Sequence, residues 1–211
     1  MVIKEPKRKD RARSSEDKQL RRASILKVTL ELWRETDYGS VTMSSVAQRA
    51  DLAKGTLYLY FPTKEELFLA LLDSLLERWF EQVSAKLERV DSAQLAEILV
   101  RSLEGFEDMV RLLSILSSVL ENNSSQAAVL EFKTHLASQS LGTGQILERI
   151  LTLEPGKGVR LLLHFNALTI GLYQMSRPIE GVSQDPQFSS LLVNFPLELE
   201  IAMKALIRGF Q

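Results

Sequence analysis

The sequence predicts an all-α chain: an N-terminal three-helix unit containing a helix-turn-helix, then a larger helical bundle, about nine helices in all. Three observations carry this. Apolar residues recur three and four positions apart from Leu20 to Phe210, and no stretch alternates apolar and polar residues as a half-buried strand would. Pro62, Pro155, Pro178 and Pro196 stand at the joints between periodic stretches. The run Thr42 to Lys64, TMSSVAQRADLAKGTLYLYFPTK, reads as two short helices separated by a tight turn.

The first helix is expected from Ser15, with Glu16 and Asp17 in its first turn, where they suit the macrodipole. Leu20, Ala23, Leu26, Leu30 and Trp33 form its apolar stripe, and Thr36 to Ser40 end it. In the next helix Val46, Ala47 and Ala50 share a face, while Gln48 and Arg49 point out. Asp51-Leu52-Ala53 is the turn. The following helix, Lys54 to Tyr60, buries Leu57 and Phe61 at a four-residue interval. Lys54, Gly55, Thr56, Tyr58, Leu59 and Tyr60 are then shared between surface and rim. An amine, hydroxyls and aromatic rings facing outward from the second of two such helices describe a helix-turn-helix; an ordinary helical hairpin fits the same pattern.

Thr63 and Glu66 make a capping box at the start of the next helix. It is expected to run through Leu67, Phe68, Leu71, Leu72, Leu75, Leu76, Trp79, Phe80 and Val83 to Glu88. At about 1.5 Å per residue it spans about 40 Å. Further helices are expected over Ser92–Leu103, Phe106–Leu120 and Gln126–Leu151, with a turn at Glu121 to Ser125 and a loop at Pro155 to Gly158. Val159 to Met175 is apolar nearly all round, which requires burial on more than one side. Arg177-Pro178 stops it. Ile179 to Asn194 reads as a connection with one short turn at Gln187 to Leu191. A last helix opens at Pro196 and ends at Gly209, with Leu199, Met203, Leu206 and Phe210 on one stripe and Ala202 and Ala205 beside it. Two such helices suit a four-helix bundle across a two-fold axis.

Composition narrows the classes. Hydrophobic residues make up 45% of the 211, enough for a sizeable core, and there is no cysteine, which excludes disulfides and thiolate metal sites. With two histidines and no ligand spacing, no metal is expected. The first residues carry no apolar run of a secretory signal, and no stretch reaches the roughly 18 uninterrupted apolar residues of a membrane span. A cytoplasmic protein with no membrane partner is therefore expected. A net charge of −1 hides an asymmetry: 14 Lys and Arg against 8 Asp and Glu through Lys64, then 12 against 19. A basic first third on an acidic remainder fits a nucleic-acid module carrying a separate domain. No glycine-rich phosphate loop, nucleophile elbow or paired-carboxylate cleft is present, so no enzyme and no cofactor is expected.

The same run resembles the DNA-binding segment of the tetracycline-repressor (TetR) family of bacterial transcriptional regulators. The residues that carry the resemblance are Thr42, Val46-Ala47, Ala50-Asp51, Gly55-Thr56-Leu57-Tyr58-Leu59-Tyr60-Phe61, Lys64-Glu65 and Leu67. Ile25-Leu26, Leu30, Trp33 and Tyr38 extend it upstream. The chain departs at Asp37 and Asp51, where the family has Gly; both are expected in left-handed backbone, which Asp tolerates.

The resemblance implies a basic tail over 1–14, a DNA-binding domain over 15–62, and a ligand-binding and dimerisation domain over 63–211. Thr56, Tyr58 and Lys64 would take phosphate oxygens. Lys54 and Gly55 would lie nearest the base edges, with Thr42, Ser44, Ser45, Leu59 and Tyr60 as further contacts. The middle helices would enclose a pocket for a small lipophilic effector. Its candidate residues are Trp79, Phe106, Met109, Phe132, His135, Gln139, Phe165, Tyr173 and Met175, with His164 and Asn166 as further polar groups. Leu168, Gly171 and Leu172, with Ala202, Ala205 and Leu206, would form the interface of a homodimer on a two-fold symmetric double-stranded operator. The expected function is a ligand-responsive repressor. The alternative is a DNA-binding or architectural protein controlled by a protein partner, without a small ligand.

Overall fold

The computed structural model describes residues 8–177 and 191–210, with side chains from Glu16 onward. Nine α-helices and no strand lie among the described residues. They are α1 (Arg8–Glu35), α2 (Met43–Arg49), α3 (Lys54–Tyr60), α4 (Lys64–Leu87), α5 (Leu95–Arg101), α6 (Glu107–Leu113), α7 (Gln126–Leu151), α8 (Lys157–Ser176) and α9 (Phe195–Phe210). None is long and apolar enough to cross a membrane. The chain divides into two compact units, Met1–Leu71 and Leu72–Gln211, and the division falls inside α4. The first turns of α4 stay with the N-terminal unit because Phe68 packs edge-on against Trp33, at 5.6 Å between ring centroids, and against Tyr38, at 5.0 Å.

In the N-terminal unit α1 starts at Arg8, not Ser15. Residues 8–15 hold no glycine or proline, and Arg, Lys and Ala favour helix. Its buried face begins at Ile25 and continues through Leu26, Thr29, Leu32 and Trp33. Leu20, expected in the stripe, is 70% exposed, and Ala23 is exposed too. Two seven-residue helices cannot cover a helix of 28 residues, so Leu20 and Ala23 stay exposed ahead of the buried face. Thr42 caps α2 reciprocally: its Oγ1 accepts from Ser45 N–H at 3.1 Å, and Ser45 Oγ accepts from Thr42 N–H at 3.0 Å. Asp51 sits in left-handed backbone at φ 53°, as expected of a residue in a glycine position. Asp37 does not. There the carboxylate accepts the Ser40 N–H at 2.8 Å, closing the turn by its side chain instead.

The second unit is held by the remainder of α4, whose Leu72, Leu75, Leu76, Trp79, Phe80, Val83 and Leu87 are all buried. The expected Phe106–Leu120 helix is broken: α6 stops at Leu113, and a π turn follows over Leu116–Leu120. Serine is the cause, since Ser114 Oγ turns back onto the Arg111 carbonyl at 2.7 Å. The expected Ser92–Leu103 helix shortens to Leu95–Arg101, because Asp91 Oδ1 accepts from the amides of Ala93 and Gln94 and holds a turn ahead of it. Helix α7 has the expected bounds, capped by Ser125. The Pro155–Gly158 loop is shorter than expected. Helix α8 already begins at Lys157, because Glu148 Oε1 accepts from the amides of Gly156, at 2.7 Å, and Gly158, at 3.1 Å. The two helices then cross in backbone contact: a Cβ added to Gly158 would stand 2.0 Å from the Gly144 carbonyl oxygen. Helix α8 packs on α7, α6 and α9, and α9 buries Leu199, Met203 and Ile207. Ile207, not Leu206 or Phe210, completes that stripe, since the helix keeps a four-residue step. The basic tail through Lys7, and the expected connection with its turn at Gln187 to Leu191 up to residue 190, lie outside the described residues.

Candidate functional site

The helix-turn-helix presents one outward face. Val46, Ala47, Leu57 and Phe61 are buried, which fixes the rotation of α2 and α3 and turns the remaining side chains out. On α3, Lys54 and Gly55 are exposed, Tyr58 is 41% exposed and Leu59 81%, while Thr56 and Tyr60 are half-buried. Lys54 Nζ stands 6.0 Å from the Tyr58 ring. A Cβ built on Gly55 would meet nothing within 4 Å. Packing within the chain therefore does not require glycine there, although glycine in a helix costs about 0.5–1 kcal/mol. Ser44 is exposed, whereas the hydroxyls of Thr42 and Ser45 are committed to the α2 cap.

Lys64 is placed differently from Lys54. Its Nζ donates to the Tyr38 carbonyl oxygen and lies 3.9 Å from the Tyr38 ring, and burial pushes its pKa down. Tyr38 in turn donates from its phenol to Glu65 Oε1 at 2.6 Å. Burial and that carboxylate push the phenol's pKa up. Lys64 thus ties the start of α4 to the α1–α2 connection, with two N–H groups left for an outside acceptor. Across the unit, Arg49 grips Glu35 with both guanidinium arms, at 3.1 and 2.8 Å, and the Arg49 hydrogen bond lowers the Glu35 pKa.

The second unit contains a cavity of about 580 Å³. Trp79, Met109 and Phe165 of the expected pocket residues line it, as does Asn166; Phe106, Phe132, His135, Gln139 and Tyr173 do not. The helix faces explain the difference. On α7 the lining residues are Lys133, Leu136, Ala137, Ser140 and Leu141, at helical spacing, which leaves 132, 135 and 139 on a neighbouring face. There His135 Nδ1 meets Asp73 Oδ1 at 2.9 Å, and Gln139 Nε2 meets His135 Nε2 at 2.7 Å. Phe106 lies beneath the Arg78 guanidinium, Tyr173 packs edge-on against Phe195, and Met175 is 65% exposed. His164 is exposed on α8 and meets the Phe210 ring edge-on at 5.5 Å. Trp79 spends its only donor outside the cavity, on Ser102 Oγ at 3.0 Å, and offers the cavity its ring. Lys133, Ser140 and Thr169 are lining residues that sequence reasoning missed; the three-residue step from Asn166 to Thr169 was the available signal.

Of the expected interface residues, Leu168, Gly171, Leu172, Ala202 and Leu206 are half-buried and Ala205 is exposed. The large apolar side chains bare on the same two helices are Leu163, Met175, Leu197 and Ile201. Leu197, Ile201 and Ala205 follow one another at four-residue steps.

Comparison with known proteins agrees with both units. Residues 73–211 match the family described as tetracyclin repressor-like, C-terminal domain, and residues 25–71 match bacterial regulatory proteins, tetR family. The chain is 47% identical over 75 residues to the HTH-type transcriptional repressor KstR of Mycolicibacterium smegmatis, covering 36% of this chain and 35% of that one. It is 38% identical over 58 residues to the HTH-type transcriptional regulator QacR of Staphylococcus aureus, covering 28% and 31%. The matches thus span about a third of the length of these curated relatives. Among solved structures, the transcriptional regulator FadR of Bacillus subtilis in complex with stearoyl-CoA shares the fold. Its TM-score is 0.57 at 17% identity, covering 90% of this chain and 99% of that one.

Proposed function

Because the chain belongs to the tetR family of bacterial regulatory proteins, we propose that this DNA-binding regulator is a repressor, acting in the cytoplasm as a homodimer released by a small lipophilic molecule. The observation that carries the reading is the outward face of α3. Lys54, a sterically unneeded glycine and Tyr58 stand at the exposed side of a helix whose other side is locked by Leu57 and Phe61, with Tyr60 half-buried at the rim. A helix of that kind enters the major groove by its N-terminal end, with Lys54 directed at guanine O6 and N7. Thr56, Tyr58, Tyr60, Ser44 and Lys64 then take the flanking phosphates or base edges. Thr42 and Ser45 contribute by holding α2 in place.

Support for the dimer comes from α9, which packs beside α8 and leaves Leu197 and Ile201 bare one helical turn apart; apolar side chains grouped in this way mark an association surface. Support for the effector comes from the cavity, whose volume falls within the usual range for small-molecule sites. Helix α4 lines that cavity with Leu76, Trp79 and Phe80 and also begins in the DNA-binding unit, so a ligand that biases α4 biases the operator grip. The test is reciprocity. Operator duplex and effector must weaken each other's binding by the same factor, read by fluorescence anisotropy and by ligand titration. Equal effector affinity with and without operator refutes the switch.

A further inference from the structure

Helix α1 carries charge beside α3 that its own packing does not use. Lys18, Arg21 and Ser24 recur at three-residue steps, and all three are exposed. Together with Asp17 and Leu20 they line one surface depression, which Tyr60, the last residue of α3, completes. Lys18 and Arg21 make no hydrogen bond or ion pair among the described residues. Arg22, the next residue, is used within the unit: its guanidinium lies over the Phe61 ring, 5.0 Å from the centroid, and so pins this turn of α1 to the end of α3. Asp17 is the one carboxylate in the depression, against two cations. Ahead of it α1 continues as helix to Arg8, through Arg8, Lys9, Arg11 and Arg13 against Asp10.

We propose that Lys18 and Arg21, with the Tyr60 hydroxyl, hold one backbone phosphate of each operator half-site, so that the DNA footprint extends from α3 onto α1. Two features commit the depression to DNA. It is continuous with the outward face of α3 through Tyr60, and its net charge is positive. Cationic side chains without an internal partner release counterions when they meet a phosphate, and the guanidinium fork matches two of its oxygens. Such a contact carries no base information; it fixes the register and strength of the grip. This rests on the reading that α3 faces the DNA.

The experiment uses the full chain and an operator duplex selected from random DNA, with affinity read by fluorescence anisotropy across a salt series. The double variant Lys18→Ala/Arg21→Ala is expected to bind about threefold to eightfold more weakly near 0.1 M salt, with the salt slope reduced by roughly one ion. Its base preferences and melting temperature stay those of the native chain, since both side chains are exposed. Tyr60→Phe removes only the hydroxyl and is expected to weaken binding about twofold to tenfold with the slope unchanged. Lys27→Ala takes the same charge from the side of α1 opposite Lys18 and leaves the slope as it was. Ethylation interference locates the contact: one phosphate per half-site whose ethylation weakens the native chain is expected to lose that effect in the double variant. An unchanged slope in the double variant overturns the proposal, and so does an equal loss with Lys27→Ala, which would assign the effect to the general field of the unit. Unchanged DNA binding with lost sedimentation on phosphatidylglycerol vesicles also overturns it and assigns the face to a lipid surface. Lys64→Ala, measured alongside, separates the two readings. A loss there without one in the double variant strikes this contact alone, whereas no loss in either strikes the DNA-facing reading of α3 as well.

Discussion

Gly55→Ala separates stability from DNA binding by sign. The added methyl meets nothing within 4 Å in the free protein, and Gly55 has an ordinary helical backbone with negative φ, so alanine is strain-free there. Replacing glycine by alanine at a compatible helical position stabilises by about 0.4–1 kcal/mol, mostly by restricting the unfolded chain. For a chain of this size that is a rise in melting temperature of about 1–4 °C. In the proposed complex the same methyl would lie between α3 and the DNA. Overpacking by one methyl costs about 1–3 kcal/mol, roughly fivefold to a hundredfold in affinity. Urea unfolding and fluorescence anisotropy on one preparation read both quantities. A stabilised variant with undiminished DNA affinity would show that α3 does not approach DNA by its N-terminal end. A destabilised one would show that the open space at Gly55 has been misread.

Lys54→Ala should leave stability unchanged and flatten discrimination at one base pair per half-site, by about 1–3 kcal/mol, in a competition assay against single-base operator variants. Lys64→Ala should weaken binding to all duplexes alike and reduce the salt slope by roughly one ion. It should also lower the unfolding midpoint, because the bond to the Tyr38 carbonyl goes with it. The Glu35–Arg49 pair makes a pH-dependent contribution. A native pKa lowered from the ordinary value of 4.5 means that the ionised carboxylate favours the folded state above that pH, and that this advantage is lost as pH falls through the native value. The melting-temperature gap between the native chain and Glu35→Gln should therefore be full at neutral pH and close under acid. Ile201→Arg should split the proposed dimer in sedimentation, since it sets a charge in the exposed α9 stripe.

The helix-turn-helix was legible in the sequence because its core is local: Val46, Ala47, Leu57 and Phe61 are spaced by the helix itself, and Asp51 marks its turn. The bounds of α7 were legible for the same reason, from the polar turn at Glu121 to Ser125 and an unbroken period after it. What escaped depended on contacts between distant residues. Glu148 starts α8 two residues early by reaching across from α7, and the serines after Leu113 stop a helix whose apolar period continues. The cavity face of α7 could not be told from its neighbour, because 132, 135 and 139 keep the same step as 133, 136 and 140.

Selection of bound sites from random duplex DNA tests the central claim most directly. The account predicts a two-fold symmetric pair of half-sites, with centres about one helical turn apart or slightly more, and one base preference that vanishes in each half-site with Lys54→Ala. Recovery of sites without symmetry, or of a preference that survives Lys54→Ala intact, would contradict it.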